Sequence, residues 1–554
     1  MVRCIFLLKV MTVIRPVVLA FLLSALGCQA IAQSGVTPDQ WLKSLPKPVF
    51  KTNHNLLHLA RWGWTISSNC NVELAKNWGY ALDLGEVSYG ITNDLATPTS
   101  TIYGLVHLAA TNSNFKLACT VPRDWQGAQV QTSTNLPKDL FVTNSSGLFV
   151  DRNNQHQWAD GTNAPYLKVL SAEASDANWT NLVQYWTAGI KAVQAVAPLS
   201  IIMHGWESIQ MEVPINFGGA EQNDPRFWAV TNQPIFLWPT NDIRYVPGLN
   251  YPAYVSQRQA HYWNIIQAEL KRICPNREAV VAYNSNGEAG RTSRYGWVNT
   301  GWYVFDSFPD LTPNLDYPNL ESYYGDGRQN WTPDARYYFG IYHFYDDLLS
   351  RYLNAVGFNS ARGYKTNYSW VSGGWGADLS DLRYTGLLKC LYLGGMNGGI
   401  AGQFSYPPEG MNPTFNPTNP PYWLPQMIAL SHVHAFFSHW DDFLANSDLI
   451  SGPQNHLMSV EQPAYEFTNT VGAVWTRVLA RKHRTQNQWL ICAWAQDGIN
   501  RNVTVNIPVL GSVTLLAREA GTIYQATTTN LTLLDLNGPF PTLPATLNPP
   551  TRMR

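Results

Sequence analysis

Between about residues 56 and 445 the chain alternates short apolar runs of strand length with amphipathic runs of helical length. No other feature constrains the fold as strongly, because apolar strands separated by helices bury both faces in a parallel sheet wrapped by those helices. Eight runs qualify as strands: 56–64, 79–84, 116–121, 199–204, 279–284, 317–323, 364–371 and 399–406. Helices are predicted at 177–196, 254–273, 334–353, 382–393 and 425–444. The second of these follows Tyr251-Pro252 and stops at Cys274-Pro275, where proline cannot continue a helix. Eight strands in this order predict an α/β fold, a closed (β/α)8 TIM barrel.

The pattern changes after about residue 450, where short β-rich runs occupy 472–479, 488–495, 502–507, 511–518 and 522–528. These predict a C-terminal antiparallel β-sandwich. The resulting division is a signal peptide over 1–32, a catalytic barrel over 33–450, a sandwich over 451–537 and a Pro-rich tail over 538–554. Segments 122–165 and 212–251 lack periodicity and read as long loops on the face where barrel enzymes build clefts.

The N-terminal assignment rests on Arg3, Lys9 and Arg15, an apolar stretch over 16–27, and the small-x-small site Ala30-Ile31-Ala32. Together they predict export and a secreted or periplasmic protein. Lipidation at Cys28 is the alternative, but Leu26 stands where such a signal usually has a small residue. No later stretch approaches the ~20 apolar residues of an integral membrane span. A net charge of −1 supplies no field for nucleic acid. Charged residues make up only 14% of the chain, while aromatics reach 13% with 22 Trp and 28 Tyr, a balance suited to neutral, hydroxyl-rich ligands. Export also makes disulfides possible among Cys70, Cys119, Cys274, Cys390 and Cys492, with Cys70–Cys119 the first pair to consider.

The chemistry is suggested by the fourth strand, which runs Ser200-Ile-Ile-Met-His-Gly and ends on Trp206-Glu207. Strand ends in α/β enzymes hold catalytic side chains rigidly, and an indole beside a carboxylate fits stacking on a sugar face next to a glycosidic oxygen. Hydrolysis of that bond needs a second carboxyl across the cleft. Glu321 is the best partner because it interrupts an aromatic strand where burial is costly without a purpose. Glu288, in a Gly-containing loop, is the alternative second carboxylate, and the run from Asp83 to Glu86 follows another strand. A rim salt bridge is the competing role for Glu207, and pairing with Arg61 the competing role for Glu321. Trp62, Trp64, Trp206, Tyr323, Tyr324, Trp370 and Trp375 fall at or just after strand ends, as a sugar platform requires. His204 and Asn284 are added as substrate-binding candidates, with Asn286 and Asn367 as further hydrogen-bonding groups.

Other chemistries score lower. His432, His434 and His439 lack an acid at metal spacing, so no metal or other cofactor is assigned. The Gly394–Gly399 run lacks the Lys and Ser/Thr of a phosphate loop, and no Gly-x-Ser-x-Gly elbow occurs.

Over roughly residues 55 to 530 the chain resembles (β/α)8 glycoside hydrolases with a trailing β-sandwich. In the commonest retaining clan of that fold the acid/base is the Glu of an Asn-Glu pair ending strand four, and the nucleophile is a Glu ending strand seven. Glu207 matches the first position with Trp206 in place of Asn, but strand seven, over 364–371, carries no carboxylate. The resemblance implies a secreted glycoside hydrolase acting on a polysaccharide or oligosaccharide, with Glu207 as acid/base, Glu321 as nucleophile or base, and retention favoured. Two alternatives stay open: a non-catalytic glycan-binding protein, and a polysaccharide lyase using His204 with Tyr323. Sugar, linkage, endo or exo action and oligomeric state do not follow from the sequence.

Overall fold

The computed structural model describes residues 36–62, 67–88, 90–121, 137–150, 157–159, 170–171, 173–204, 226, 251–282, 314–317, 321–323, 366–372, 381–402, 423–450, 476–495 and 499–534. Helices among them are α1 (Pro38–Ser44), α2 (Ser68–Asn77), α3 (Ile91–Leu95), α4 (Thr101–Thr111), α5 (Asp176–Trp186), α6 (Ala188–Val196), α7 (Tyr251–Ile273), α8 (Asp381–Leu393), α9 (Trp423–Ser438) and α10 (Asp441–Ala445). The helix expected over 177–196 is thus two helices, broken at Thr187, whose hydroxyl donates to the Val183 carbonyl at 2.7 Å. Caps fix the starts: Ser67 Oγ accepts from Cys70 N at 3.3 Å and Ser175 Oγ from Asn178 N at 3.3 Å, each relieving a first-turn amide. The helix expected over 334–353 lies outside the described residues.

The first strands are β1 (Ala60–Trp62), β2 (Leu82–Glu86) and β3 (Leu117–Thr120). A hairpin, β4 (Phe149–Val150) with β5 (Gln157–Trp158), occupies part of the segment expected to be loop. Then come β6 (Leu199–His204), β7 (Ala279–Ala282), β8 (Glu321–Tyr323), β9 (Asn367–Ser372) and β10 (Met396–Gly402). Two four-stranded parallel sheets result, ordered β2-β3-β6-β7 and β1-β10-β9-β8. Isolated parallel bridges join Leu59 to Tyr80 and Val281 to Tyr317. The first is reinforced by bonds from Leu59 N to Gly79 O at 3.0 Å and from Ala81 N to Leu59 O at 2.7 Å.

Side-chain alternation along these strands separates two environments. Ala60, Ala81, Ala118, Ile201, Met203, Ala279, Val281, Tyr368, Trp370 and Ile400, from strands of both sheets, share one apolar cluster. The intervening residues face the helices: Leu82, Leu117, Cys119, Ile202 and Val280 join one helix-side core, and Val371 and Ala401 another. Every residue of β6 is buried, which explains why its sequence reads as an almost unbroken apolar run.

Beyond α10 lie β11 (Ser447–Leu449), β12 (Thr476–His483), β13 (Gln488–Ala495), β14 (Arg501–Ile507), β15 (Gly511–Ala517), β16 (Thr522–Thr527) and β17 (Leu531–Leu534). β11-β12-β13-β16-β17 form an antiparallel sheet, and the β14–β15 hairpin contributes Val503, Val505, Ile507, Leu515 and Ala517 to a core shared with that sheet. Leu479, Leu490, Cys492, Trp494 and Ile523 of the same sheet pack in one core with residues of α8 and α9. Arg481, 5% exposed, donates to the Leu393 carbonyl at 2.7 Å, satisfying an orphan acceptor at the end of α8. Lys389 on α8 donates to Gly521 O at 2.6 Å.

All five cysteines of the described residues are buried thiols. Cys70 and Cys119 belong to different cores, so the pair first suggested by the sequence is not formed.

Candidate functional site

Because the eight parallel strands of the described residues run in one sense within each sheet, their C-terminal ends define the faces from which catalytic groups would project. Those ends are Trp62, Glu86, Thr120, His204, Ala282, Tyr323, Ser372 and Gly402.

Glu321 is the first residue of β8 and is paired in register with Trp370, which is itself paired with Ile400, and Ile400 with Ala60. The expected second carboxylate therefore stands level with three members of the cluster common to both sheets. Tyr323, the last residue of β8, is level with Ser372, and Trp62 with Gly402. Glu207, Trp64, Trp206, Asn284, Tyr324, Trp375, Glu288 and Asn286 lie outside the described residues. Glu207 follows the end of β6 by three positions.

Three of the expected ligand contacts have other partners. Trp370 is 1% exposed and its indole fills the shared cluster, so it packs the core instead of lying bare for a sugar. His204 is likewise 1% exposed. It follows Ile202 on the helix-facing side of β6, where its ring meets Trp263 of α7 edge-on at 5.5 Å and its Nε2 lies 3.1 Å from Gln267 Nε2. Burial pulls its pKa down to about 3, so the imidazole is neutral and accepts from the Gln267 amide. A His204–Tyr323 base pair for a lyase is therefore not assembled by β6. Asn367 begins β9, at the end opposite the rim, where its Oδ1 accepts from Ser369 Oγ at 2.5 Å.

Asp83, the second residue of β2, is a buried carboxylate that the sequence offered only within a run of candidates. Its Oδ2 takes a bond from Arg61 Nη2 at 2.7 Å, with side chains 4% and 5% exposed, so Arg61 is engaged by Asp83. Asn71 of α2 brackets the backbone on both sides, donating to Asp83 O at 2.8 Å and accepting from Asp83 N at 3.1 Å. Gly85 N donates to Asp83 Oδ1 at 2.9 Å from a backbone with φ of +67°, a conformation suited to glycine. Burial pushes the Asp83 pKa up, while Arg61 and the Gly85 amide pull it back without cancelling the rise. The legible signal was Asp83-Leu-Gly85, an Asp that closes a turn on its own backbone.

The opposite end of the strands carries a cavity of about 360 Å³ lined by residues including Lys47, Phe50, His54, His58, Asn114 and His434. His58 precedes β1 and holds Glu278, which precedes β7, through its Nδ1 at 2.8 Å and its amide at 3.0 Å. Burial works to raise the Glu278 pKa, but the His58 bonds outweigh it and hold the carboxyl below its ordinary value. His434 Nδ1 lies 2.6 Å from the Tyr392 hydroxyl. The His58–Glu278 pairing ties the segment before β1 to the segment before β7, strands of different sheets. Among the described residues no group of three His, Cys, Asp or Glu is placed to hold a metal ion. No helix among them is long and apolar enough to cross a membrane.

No family model matches the chain, and no curated protein matches it by sequence. Among solved structures it is similar to a maltogenic alpha-amylase from Thermotoga neapolitana, at 10% identity over 78% of this chain and 80% of that one with a TM-score of 0.34. An alpha-amylase from Lactobacillus plantarum gives 8% identity over 77% and 82% with a TM-score of 0.36. An endo-beta-1,4-mannanase from Cellulomonas fimi, a member of glycoside hydrolase family 26, gives 11% over 86% and 93% with 0.30. At these TM-scores no substrate or residue role passes from those proteins to this chain.

Proposed function

We propose that this chain is an exported glycoside hydrolase in which Glu207 is the general acid/base and Glu321 the nucleophile or base. The observation that carries the proposal is the register of Glu321 with Trp370, Ile400 and Ala60, together with the apolar cluster shared by strands of both parallel sheets. In this reading the bridges Leu59–Tyr80 and Val281–Tyr317 close the sheets into one barrel of eight strands, and the C-terminal sheet and hairpin form a sandwich behind it. A closed barrel brings the ends of β6 and β8 to one rim, with only β7 between them, which suits two carboxyls acting on one glycosidic bond. One carboxyl protonates the leaving oxygen, and the other attacks the anomeric carbon or activates water. Retention requires the two carboxyls to lie about 5–5.5 Å apart, inversion about 6.5–9.5 Å. The aromatic residues Trp62, Trp64, Trp206, Tyr323, Tyr324 and Trp375 supply the platform for the carbohydrate.

The test is a panel of plant and algal glycans incubated with the parent protein, Glu207→Gln and Glu321→Gln. Cleavage by the parent and loss in both variants is expected. Wild-type turnover in both variants overturns the assignment of residues, and a parent that neither cleaves nor binds any glycan overturns the class.

A further inference from the structure

Helix α8 and strand β13 approach each other closely enough to bring two thiols together. On α8, Gly386 and Cys390 are one turn apart and share a face. On β13, Cys492 and Trp494 are two residues apart and share a face. The two faces meet: a Cβ on Gly386 would lie 2.1 Å from Trp494 Nε1 and 2.7 Å from Glu519 O, so only glycine admits this spacing. One turn further along, Cys390 Sγ and Cys492 Sγ are 3.8 Å apart, both fully buried in the same core. Flanking bonds hold the approach on both sides, with Lys389 Nζ on Gly521 O at 2.6 Å and Trp494 Nε1 on Glu519 O at 2.9 Å.

We propose that Cys390 and Cys492 form a disulfide that fastens the C-terminal sheet to α8 when the chain folds in an oxidising compartment. The compartment rests on the export reading above; the pairing rests on the geometry. The sulfurs come into bonding distance of about 2.05 Å by side-chain adjustment across a contact already made. Each thiol loses a proton and one electron, and the pair of electrons reduces a thiol–disulfide exchange partner, whose own disulfide leaves as two thiols by way of a mixed disulfide. Both sulfurs are sealed in the finished interface, so exchange takes place before α8 and β13 close on each other. In this reading Cys70, Cys119 and Cys274 stay as thiols.

Two preparations of the full chain test this. One is produced with its own leader in an exporting host; the other is reduced in denaturant and refolded in a buffer of reduced and oxidised glutathione. Each is alkylated under denaturing conditions without reductant, digested, and searched by mass spectrometry for the linked peptide. The expected result is a Cys390–Cys492 peptide that disappears on reduction, with the other three cysteines alkylated. Alkylation of both Cys390 and Cys492 in folded protein from the glutathione buffer, or linkage of either to a different cysteine, overturns the pairing. Retention of the chain inside the exporting host overturns the export reading alone, and the refolded preparation then decides the pairing. Cys390→Ser supplies the control, in which Cys492 is recovered fully alkylated.

Discussion

Glu321 stands opposite Trp370 in the parallel ladder between β8 and β9. The same register continues from Trp370 to Ile400 and from Ile400 to Ala60, so Glu321 is level with one position on each other strand of its sheet.

The two proposed carboxyls separate by leaving group. Glu207→Gln and Glu321→Gln should each lower kcat on a natural glycan by about 10²–10⁴-fold. On an aryl glycoside with an acidic phenol, which departs without protonation, the Glu207 variant should regain most of its rate in the glycosylation step and the Glu321 variant should not. Pre-steady-state release of the phenol measures this, and equal losses on both substrates contradict the division of roles.

The Arg61–Asp83 pair should be structural in its first effect. Arg61→Met leaves Asp83 buried without its guanidinium, and Asp83→Asn leaves the guanidinium without its anion. Removing one member of a buried pair costs about 3–5 kcal/mol, whereas an exposed pair would cost less than about 1 kcal/mol. Denaturant unfolding of the single variants distinguishes the two.

Stability should decline in mild acid because of buried histidines. Burial lowers His204 from 6.5 to about 3 and His432 from 6.5 to about 4, so both are neutral in the folded protein near neutrality. A depressed folded pKa gives stability that is present above the unfolded value and lost as pH falls toward the folded one. The window is therefore 6.5 down to about 3 for His204, and by pH ~5.5 each histidine has given up roughly 1.4 kcal/mol. Urea unfolding at several pH values should show this slope, and His204→Gln should flatten part of it; an unchanged slope in that variant sinks the assignment.

Gly386→Ala sets two effects of opposite sign against each other. Helix propensity alone favours alanine by about 1 kcal/mol. The new Cβ would meet Trp494 Nε1 at 2.1 Å, and overpacking of this kind costs about 1–3 kcal/mol. A lowered melting temperature is expected, and a raised one means that α8 and β13 are not in contact as described.

Much of the architecture was legible because burial leaves a periodic trace. The apolar runs at 199–204 and 279–284 announce β6 and β7, since strands covered on both faces need apolar residues at successive positions. Of the C-terminal strands, 488–495 matches β13 end for end and 502–507, 511–518 and 522–528 fall on β14, β15 and β16, while 472–479 only overlaps β12 and neither β11 nor β17 was expected. Less legible was which side of a strand a residue takes. His204 and Trp370 both lie at strand ends in the sequence, yet one turns to Trp263 on α7 and the other fills the shared cluster. Asp83 was one of several acidic residues until Arg61, Asn71 and Gly85 converged on it from separate elements.

By itself the sequence determined the alternation of strands and helices, the change to antiparallel strands after about residue 450, and the residue types suited to sugars. These are local properties, fixed by hydrophobic period and composition. Tertiary structure alone decided that Glu321 stands level with Trp370, that Asp83 receives Arg61, and that Cys390 meets Cys492 across 102 positions of chain. Register and close packing join residues far apart in the chain, and no local pattern encodes which distant side chain fills the space opposite.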